Sequence, residues 1–372
     1  MMHTVLIIVN HNITIYKFRK ELVEKLVRNG YRVVVLLPVN EETNLVKALG
    51  CEVIDVPVER RGTNPVHDIK LLKTYYTILK SVKPEVVLTY TIKPNVYGGL
   101  ACRLLKIPYI TTITGLGVAI EGGGILKTIS LLLYRIGLRR ANIIVFQNES
   151  NRVVFENAGI VRNNSVLVNG SGVNLEEYSG IEFPDDDSTV DFLFISRIMK
   201  SKGIDEFLEI AKTIKGKYPY TRFHVLGFCE DDYQHKLEEY SEKEIIQYHG
   251  MQEDITPFMR KAQCLIHPSY HEGMSNVCME AAAAGRIVIA SRIDGCRQIV
   301  EDGITGYLAE SKNVDSFVEA VERMLSLSHD ERKHMGLRAK EKMQKEFDRK
   351  VIVHRYTQLI ENIIEENPRG EY

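Results

Sequence analysis

The sequence predicts two consecutive α/β domains, each built on a doubly wound parallel sheet, and three observations lead there. Short apolar runs alternate with amphipathic helical patterns through residues 1–170, the same alternation resumes at residue 190, and a polar stretch at 174–189 separates the two series. That stretch holds Pro184, Asp185, Asp186 and Asp187 and reads as the best linker. With 372 residues, 44% of them hydrophobic, the chain is long enough to bury two cores. The expected division is residues 1–170, residues 171–347 and a C-terminal helix within 348–372.

Taken in order, residues 5–10 read as a strand, their apolar run unbroken as far as Val9, as expected of a strand buried on both faces. Phe18, Leu22 and Leu26 then recur at helical spacing among charges, which predicts one helix over 16–29, stopped by Gly30. A strand follows at 31–37, and further strands are expected at 52–56, 86–89, 109–112, 143–146 and 166–168. The second series reads 190–195, 223–226, 245–248, 264–267 and 287–290, and the charged segment 348–366 reads as a helix. A parallel sheet of this kind binds its ligands at the C-terminal ends of its strands. The first loop, residues 10–15, carries no G-x-G-x-x-G pattern, which argues against a dinucleotide-dependent oxidoreductase.

Composition narrows the setting. Cys51, Cys102, Cys229, Cys264, Cys278 and Cys296 show no C-x-x-C spacing and read as reduced thiols of a cytosolic protein, with neither a metal nor a disulfide framework implied. Residues 1–10 lack a basic leader and a small-residue cleavage site, so no signal peptide is expected. The longest apolar stretch, 125–138, is broken by Lys127 and Arg135, which argues against a membrane span. The net charge of −1 hides a division: residues 1–170 hold 22 Lys and Arg against 12 Asp and Glu, a balance of +10, and the remainder balances at −11. Nucleic acid is poorly supported as the partner of the basic half, because there is no Trp and the cations are not interleaved with aromatics. An anionic membrane surface or a lipid phosphate fits better. Residues 127–140 carry four positive charges, no acidic residue and a dense aliphatic face, the pattern of an interfacial helix or of a core helix with a solvated basic edge.

Two motifs carry the chemistry. After the apolar run at 264–266 come His271, Glu272, Gly273, Met274, Ser275 and Asn276, followed by Glu280 in an Ala-rich helix. Gly273 permits close backbone approach, and Ser275 and Asn276 are both good N-cap residues. The free amides and dipole of such a helix start suit a diphosphate. Glu272, just outside the helix, is placed to accept hydrogen bonds from sugar hydroxyls, and Glu280, about a turn inside, to reach ribose hydroxyls. Upstream, the run at 190–195 leads into Arg197, Lys202 and Gly203, so that a planar fork and a mobile point charge precede another helix. His11, His67, His249 and His267 read as structural, and His271, beside Glu272, is the one histidine to watch.

These two segments, with residues 169–174 and 302–308, resemble the retaining GT-B glycosyltransferases of family four, the glycosyl transferases group one. The resemblance implies two Rossmann-like domains facing a cleft, with the C-terminal helix crossing back to the first. It implies that Glu272, Arg197 and Lys202 serve catalysis, and that Gly273, Met274, Ser275, Asn276, Glu280, Thr114 and Gly115 bind a nucleotide-sugar donor, UDP being favoured by the family's habits. Many relatives carry His where this chain has Thr114, and a hydroxyl is a poor base at neutral pH. Residues 16–20, 60–65 and 89–95 look like bacterial surface-polysaccharide members, which implies a polyprenyl-diphosphate saccharide as acceptor, with Arg60, Arg61 and Lys93 at its diphosphate. The enzyme would work in the cytoplasm at the inner face of the membrane. Asp185 and Asp187 match an Asp-x-Asp pair but read as solvated linker residues. With Arg197, Lys202 and a helix terminus as neutralising charge, no metal and no cofactor are expected. Rival readings are a sugar-nucleotide epimerase and a non-catalytic nucleotide-sugar sensor.

Overall fold

Unbroken apolar runs become fully buried parallel strands in the computed structural model, which describes residues 2–59, 64–116, 120, 123–161, 164–186 and 188–367. The chain divides into two compact units, Met1–Ser171 with Lys350–Tyr372, and Gly172–Arg349.

In the first unit, β1 (Thr4–Ile8), β2 (Arg32–Leu37), β3 (Glu52–Asp55), β4 (Val86–Tyr90), β5 (Tyr109–Ile113), β6 (Ile143–Phe146) and β7 (Ser165–Leu167) form one sheet in the order β3-β2-β1-β4-β5-β6-β7. Every pairing is parallel. Successive side chains point to opposite faces, so Val5 and Ile7 enter one core while Leu6 and Ile8 enter the other, which is why the strand reads as a continuous apolar run. The connecting helices are α1 (Ile13–Tyr16), α2 (Lys20–Arg28), α3 (Thr43–Lys47), α4 (Pro65–Val82), α5 (Gly99–Leu105), α6 (Gly124–Leu138) and α7 (Glu149–Asn157). Asn64 caps α4 by accepting from the Val66 amide, with Pro65 in the first turn, and Asn148 caps α7 by accepting from the Asn151 amide.

One sequence expectation fails here. The single helix read over 16–29 is two, α1 and α2, with a break at residues 17–19. At the break Arg19 is buried and sets its guanidinium 4.8 Å from the centre of the Tyr90 ring, while Phe18 is only half-buried.

In the second unit, β8 (Val190–Ile195), β9 (Thr221–Leu226), β10 (Gln247–Tyr248), β11 (Cys264–His267), β12 (Ile287–Ser291) and β13 (Gly306–Ala309) pair in the order β10-β9-β8-β11-β12-β13, again all parallel. The helices are α8 (Ile204–Lys217), α9 (Gln234–Glu242), α10 (Thr256–Lys261), α11 (Asn276–Ala283), α12 (Val314–Leu325) and α13 (His329–Glu346). Ser328 and Glu331 cap α13 reciprocally. Strand β13 is not among the strands expected from sequence.

The last helix, α14 (Arg349–Glu366), returns to the first unit. Tyr356, Leu359, Ile360 and Ile363 join the core that lies over Val5, Ile7 and Leu88, and Tyr356 Oη sits 2.8 Å from Thr112 Oγ1. At about 1.5–3 kcal/mol for each large apolar side chain removed from water, this one helix face supplies a substantial part of that core.

Candidate active site

Both sheets reverse their strand order once: between β1 and β4 in the first unit and between β8 and β11 in the second. Loops leaving the C-terminal ends of two such strands diverge to opposite sides and leave a crevice. In the second unit these are the loops that carry Arg197–Lys202 and His271–Ser275.

Glycine lets the two loops touch. Gly203 has φ 75°, and a Cβ there would lie 2.1 Å from the Pro268 carbonyl oxygen, so no other residue fits without displacing backbone. The Tyr270 amide then donates to the Ser201 carbonyl at 3.0 Å. On the far side a Cβ on Gly295 would lie 2.6 Å from the Gly273 carbonyl oxygen, and the Ser275 amide donates to Gly295 at 3.1 Å. The turn that holds Glu272 is thus gripped from both flanks.

The grip brings Lys202 Nζ to 2.7 Å from Glu272 Oε1, with both side chains largely buried. His267 Nε2 lies 3.0 Å from the same oxygen and 3.2 Å from Ser275 Oγ. Burial alone would raise the Glu272 carboxyl, but the Lys202 ammonium and the His267 imidazole outweigh it and hold the group well below the usual carboxylate range. Burial likewise opposes charging His267, yet Cys278 and Glu272 raise it above 6.5. Ser275, rather than Asn276, is the N-cap: its Oγ accepts from the Cys278 amide at 3.4 Å and opens α11.

Of the residues expected in a donor site, Glu272, Lys202, Gly273 and Ser275 come together. Met274 is buried beneath them, Asn276 begins α11, and Glu280 is buried on α11 close enough to Tyr178 to help raise its phenol. Arg197 Nη1 donates to Glu230, on the loop after β9. His271 is exposed, and it is His267, read from sequence as structural, that contacts Glu272. The residue sits at the end of β11 and its inward direction was set by strand parity, a usable but weak signal.

Beneath this network, ligand atoms of His267, Cys278 and Cys296 lie within 4.8 Å of one another, all buried. Burial disfavours the Cys278 thiolate, but the Cys296 thiol and His267 outweigh it and bring Cys278 down to about 7. The three groups satisfy one another together with Ser275 and Glu272, which accounts for their burial.

In the first unit, Lys93 Nζ lies 2.7 Å from Asp68 Oδ1, and Tyr97 Oη donates to the other carboxylate oxygen at 2.7 Å. Lys93 and Asp68 border a cavity of about 540 Å³ that is also lined by Pro38, Val56, Val58, His67 and Leu71. Its walls follow β2, β3 and β4, again at the C-terminal edge of the sheet. Neither Asp68 nor Tyr97 stood out in the sequence. Thr114 and Gly115 are half-buried just past the end of β5. Arg60, Arg61, Gly117 and Asp187 lie outside the described residues. Among the described residues, no helix is long and apolar enough to cross a membrane.

The family model for glycosyl transferases group 1 matches residues 189–327, and that for glycosyl transferase 4-like proteins matches residues 4–148. The chain is 27% identical over 369 residues to the N,N'-diacetylbacillosaminyl-diphospho-undecaprenol alpha-1,3-N-acetylgalactosaminyltransferase of Campylobacter jejuni, covering 94% of this chain and 96% of that protein. It is 25% identical to the UDP-Gal:alpha-D-GlcNAc-diphosphoundecaprenol alpha-1,3-galactosyltransferase of Escherichia coli, over 72% of this chain and 73% of that one. Among solved structures, a glycosyltransferase from Rickettsia africae superposes with a TM-score of 0.80 at 17% identity, covering 98% of this chain and 100% of that one. Anabaena HepE in complex with UDP and glucose does so at 0.79 and 14%, covering 97% and 100%.

Proposed function

Since the chain belongs to the group 1 glycosyltransferases and has the GT-B fold, we propose that it moves a hexose or N-acetylhexosamine from a UDP-sugar to a saccharide carried on a polyprenyl diphosphate. Such a step builds surface polysaccharide or a related glycan, at the inner face of the cell membrane. The observation that carries the reading is the Lys202–Glu272 contact of 2.7 Å, set beside the N-terminus of α11 at the strand reversal. The two curated relatives named above, both acting on undecaprenyl-diphosphate sugars, supply the acceptor class.

Glycosyl transfer breaks the bond between the anomeric carbon and the diphosphate, so negative charge grows on the leaving group while the sugar becomes oxocarbenium-like. Lys202 and the amides opening α11 meet that charge. In the absence of donor the Lys202 ammonium is balanced by Glu272; a diphosphate arriving beside it takes over this balance and frees carboxylate lone pairs for sugar hydroxyls. Glu272 stays ionised throughout the neutral range, so it orients the sugar as an acceptor of hydrogen bonds. Retention of anomeric configuration and independence from metal complete the proposal. Arg197 contributes charge from its place beside Glu230.

Purified protein incubated with several UDP-sugars and a synthetic polyprenyl-diphosphate sugar tests this, with products identified by mass spectrometry. The expected product is the acceptor extended by one sugar. Conversion of the UDP-sugar alone would replace the proposal with an epimerase, and binding without turnover with a sensor.

A further inference from the structure

We propose that α6 is a membrane-docking helix whose exposed aliphatic stripe enters the boundary between headgroups and acyl chains of an anionic bilayer. The inference deepens the lipid-linked acceptor reading and rests on it for its purpose. Its physical basis is separate.

Ile125 is 79% exposed and Leu126 60%, and Leu132, Ile129 and Ile136 follow at 54, 48 and 38%. Positions 125, 129, 132 and 136 fall on one stripe of the helix. The opposite face is anchored: Tyr134 packs edge-on against Phe155 at 4.9 Å, and Gly137 lies against the backbone of Val96. Only the second half of α6 is held this way. From residue 124 to 129 every side is exposed, so the first turns stand out from the unit. Soluble proteins rarely present large aliphatic side chains contiguously to water without a use for them.

Charge selects the occupant. Lys127, Arg135, Arg139 and Arg140 are exposed, and residues 124–140 contain no acidic side chain. Arg103 Nη1 adds a further cation at the Ile136 carbonyl, 3.2 Å away. An apolar stripe on a helix that itself carries only positive charge matches anionic headgroups above acyl chains, and the helix, 15 residues long, suits lying in the interface rather than crossing it. Topology gives the placement a purpose. The segment that leads into α6 leaves the C-terminal end of β5, so the exposed end of the helix lies at the ligand-binding edge of the first sheet. Docking there presents that edge to the surface in which a polyprenyl diphosphate resides.

The chain contains no Trp, so Leu132→Trp places a sole indole on the stripe. The full-length variant is mixed with vesicles of phosphatidylcholine containing phosphatidylglycerol, or of phosphatidylcholine alone. A blue-shifted emission, quenched by brominated lipid, is expected with the anionic vesicles and should weaken at high salt. Adding Ile125→Asp and Leu126→Asp should lower vesicle affinity at least about tenfold, with the thermal transition unmoved because both positions are exposed. Unshifted emission with anionic vesicles would overturn the proposal. So would a blue shift in the absence of lipid accompanied by dimerisation in analytical ultracentrifugation, since the stripe would then be covered by a second copy. Transfer to a short-chain, water-soluble acceptor reads the parent proposal separately: its failure with docking intact removes the acceptor assignment and leaves the membrane contact standing.

Discussion

Two lysines, one in each unit, close on a carboxylate at the same 2.7 Å: Lys202 on Glu272 and Lys93 on Asp68. Both pairs are largely buried and both sit at the C-terminal edge of a parallel sheet. They differ in the third member. Glu272 shares its oxygen with His267, whose pKa is raised by Cys278 and by Glu272 itself against the effect of burial, and stands at the start of α11. Asp68 shares its carboxylate with Tyr97, whose phenol is raised by burial and then by Asp68 itself, and so stays a fixed donor. The second unit therefore sets two nitrogen partners, Lys202 and His267, on one carboxylate oxygen. The first holds a clamp that keeps one shape.

The largest test of that difference is Gly203→Ala, which sets a Cβ against the Pro268 carbonyl at a positive φ and removes the approach on which the Lys202–Glu272 contact depends. A loss of about 3 kcal/mol or more in unfolding free energy is expected, read by denaturant titration. Next, Lys202→Ala should raise the barrier to transfer by about 3 kcal/mol, close to a hundredfold in turnover, by analogy with removal of an oxyanion-stabilising donor. Unchanged turnover would make the Lys202–Glu272 pair structural. Lys93→Ala should act more mildly, raising the acceptor KM by about tenfold with kcat nearly constant, since it removes binding felt equally before and during the reaction. The smallest effect is in pH. The folded-state pKa of His267 is raised, so its contribution to stability is complete below 6.5 and is lost as pH climbs through the raised value. Glu272 is depressed, so its share persists until pH falls well beneath the ordinary carboxylate range. Stability of the second unit should therefore decline on the alkaline side of 6.5, and His267→Asn should flatten that decline.

Much of this was readable before folding. All seven strands of the first sheet fall on segments read as strands; β1, β2 and β4 stand out most, because strands covered on both faces cannot hide their character, while the edge strands β3 and β7 are only partly buried. In the second sheet β13 escaped, since Gly306, Tyr307, Leu308 and Ala309 follow a turn and offer no β-branched residue to mark them. Glu272 and Lys202 were legible because each follows an obvious strand and precedes an obvious helix. Partners chosen in three dimensions were not: nothing local ties Arg197 to Glu230, Lys93 to Asp68, or Cys278 to Cys296. Arg19 misled for the opposite reason. A charge at a helical surface position reads as solvated, and only the convergence of Tyr90 and Tyr356 makes burial favourable.

Helix α14 has a consequence for biosynthesis. The chain leaves the first unit at Ser171 and regains it at Lys350, and Tyr356, Ile360 and Ile363 complete a core begun by Val5 and Ile7. A ribosome works in one direction only. The nascent amino-terminal half must wait, with one side of its sheet unsealed, while the middle of the polypeptide is made and can already fold. A stop codon at position 350 would then leave the later-made lobe intact and the earlier one prone to aggregate.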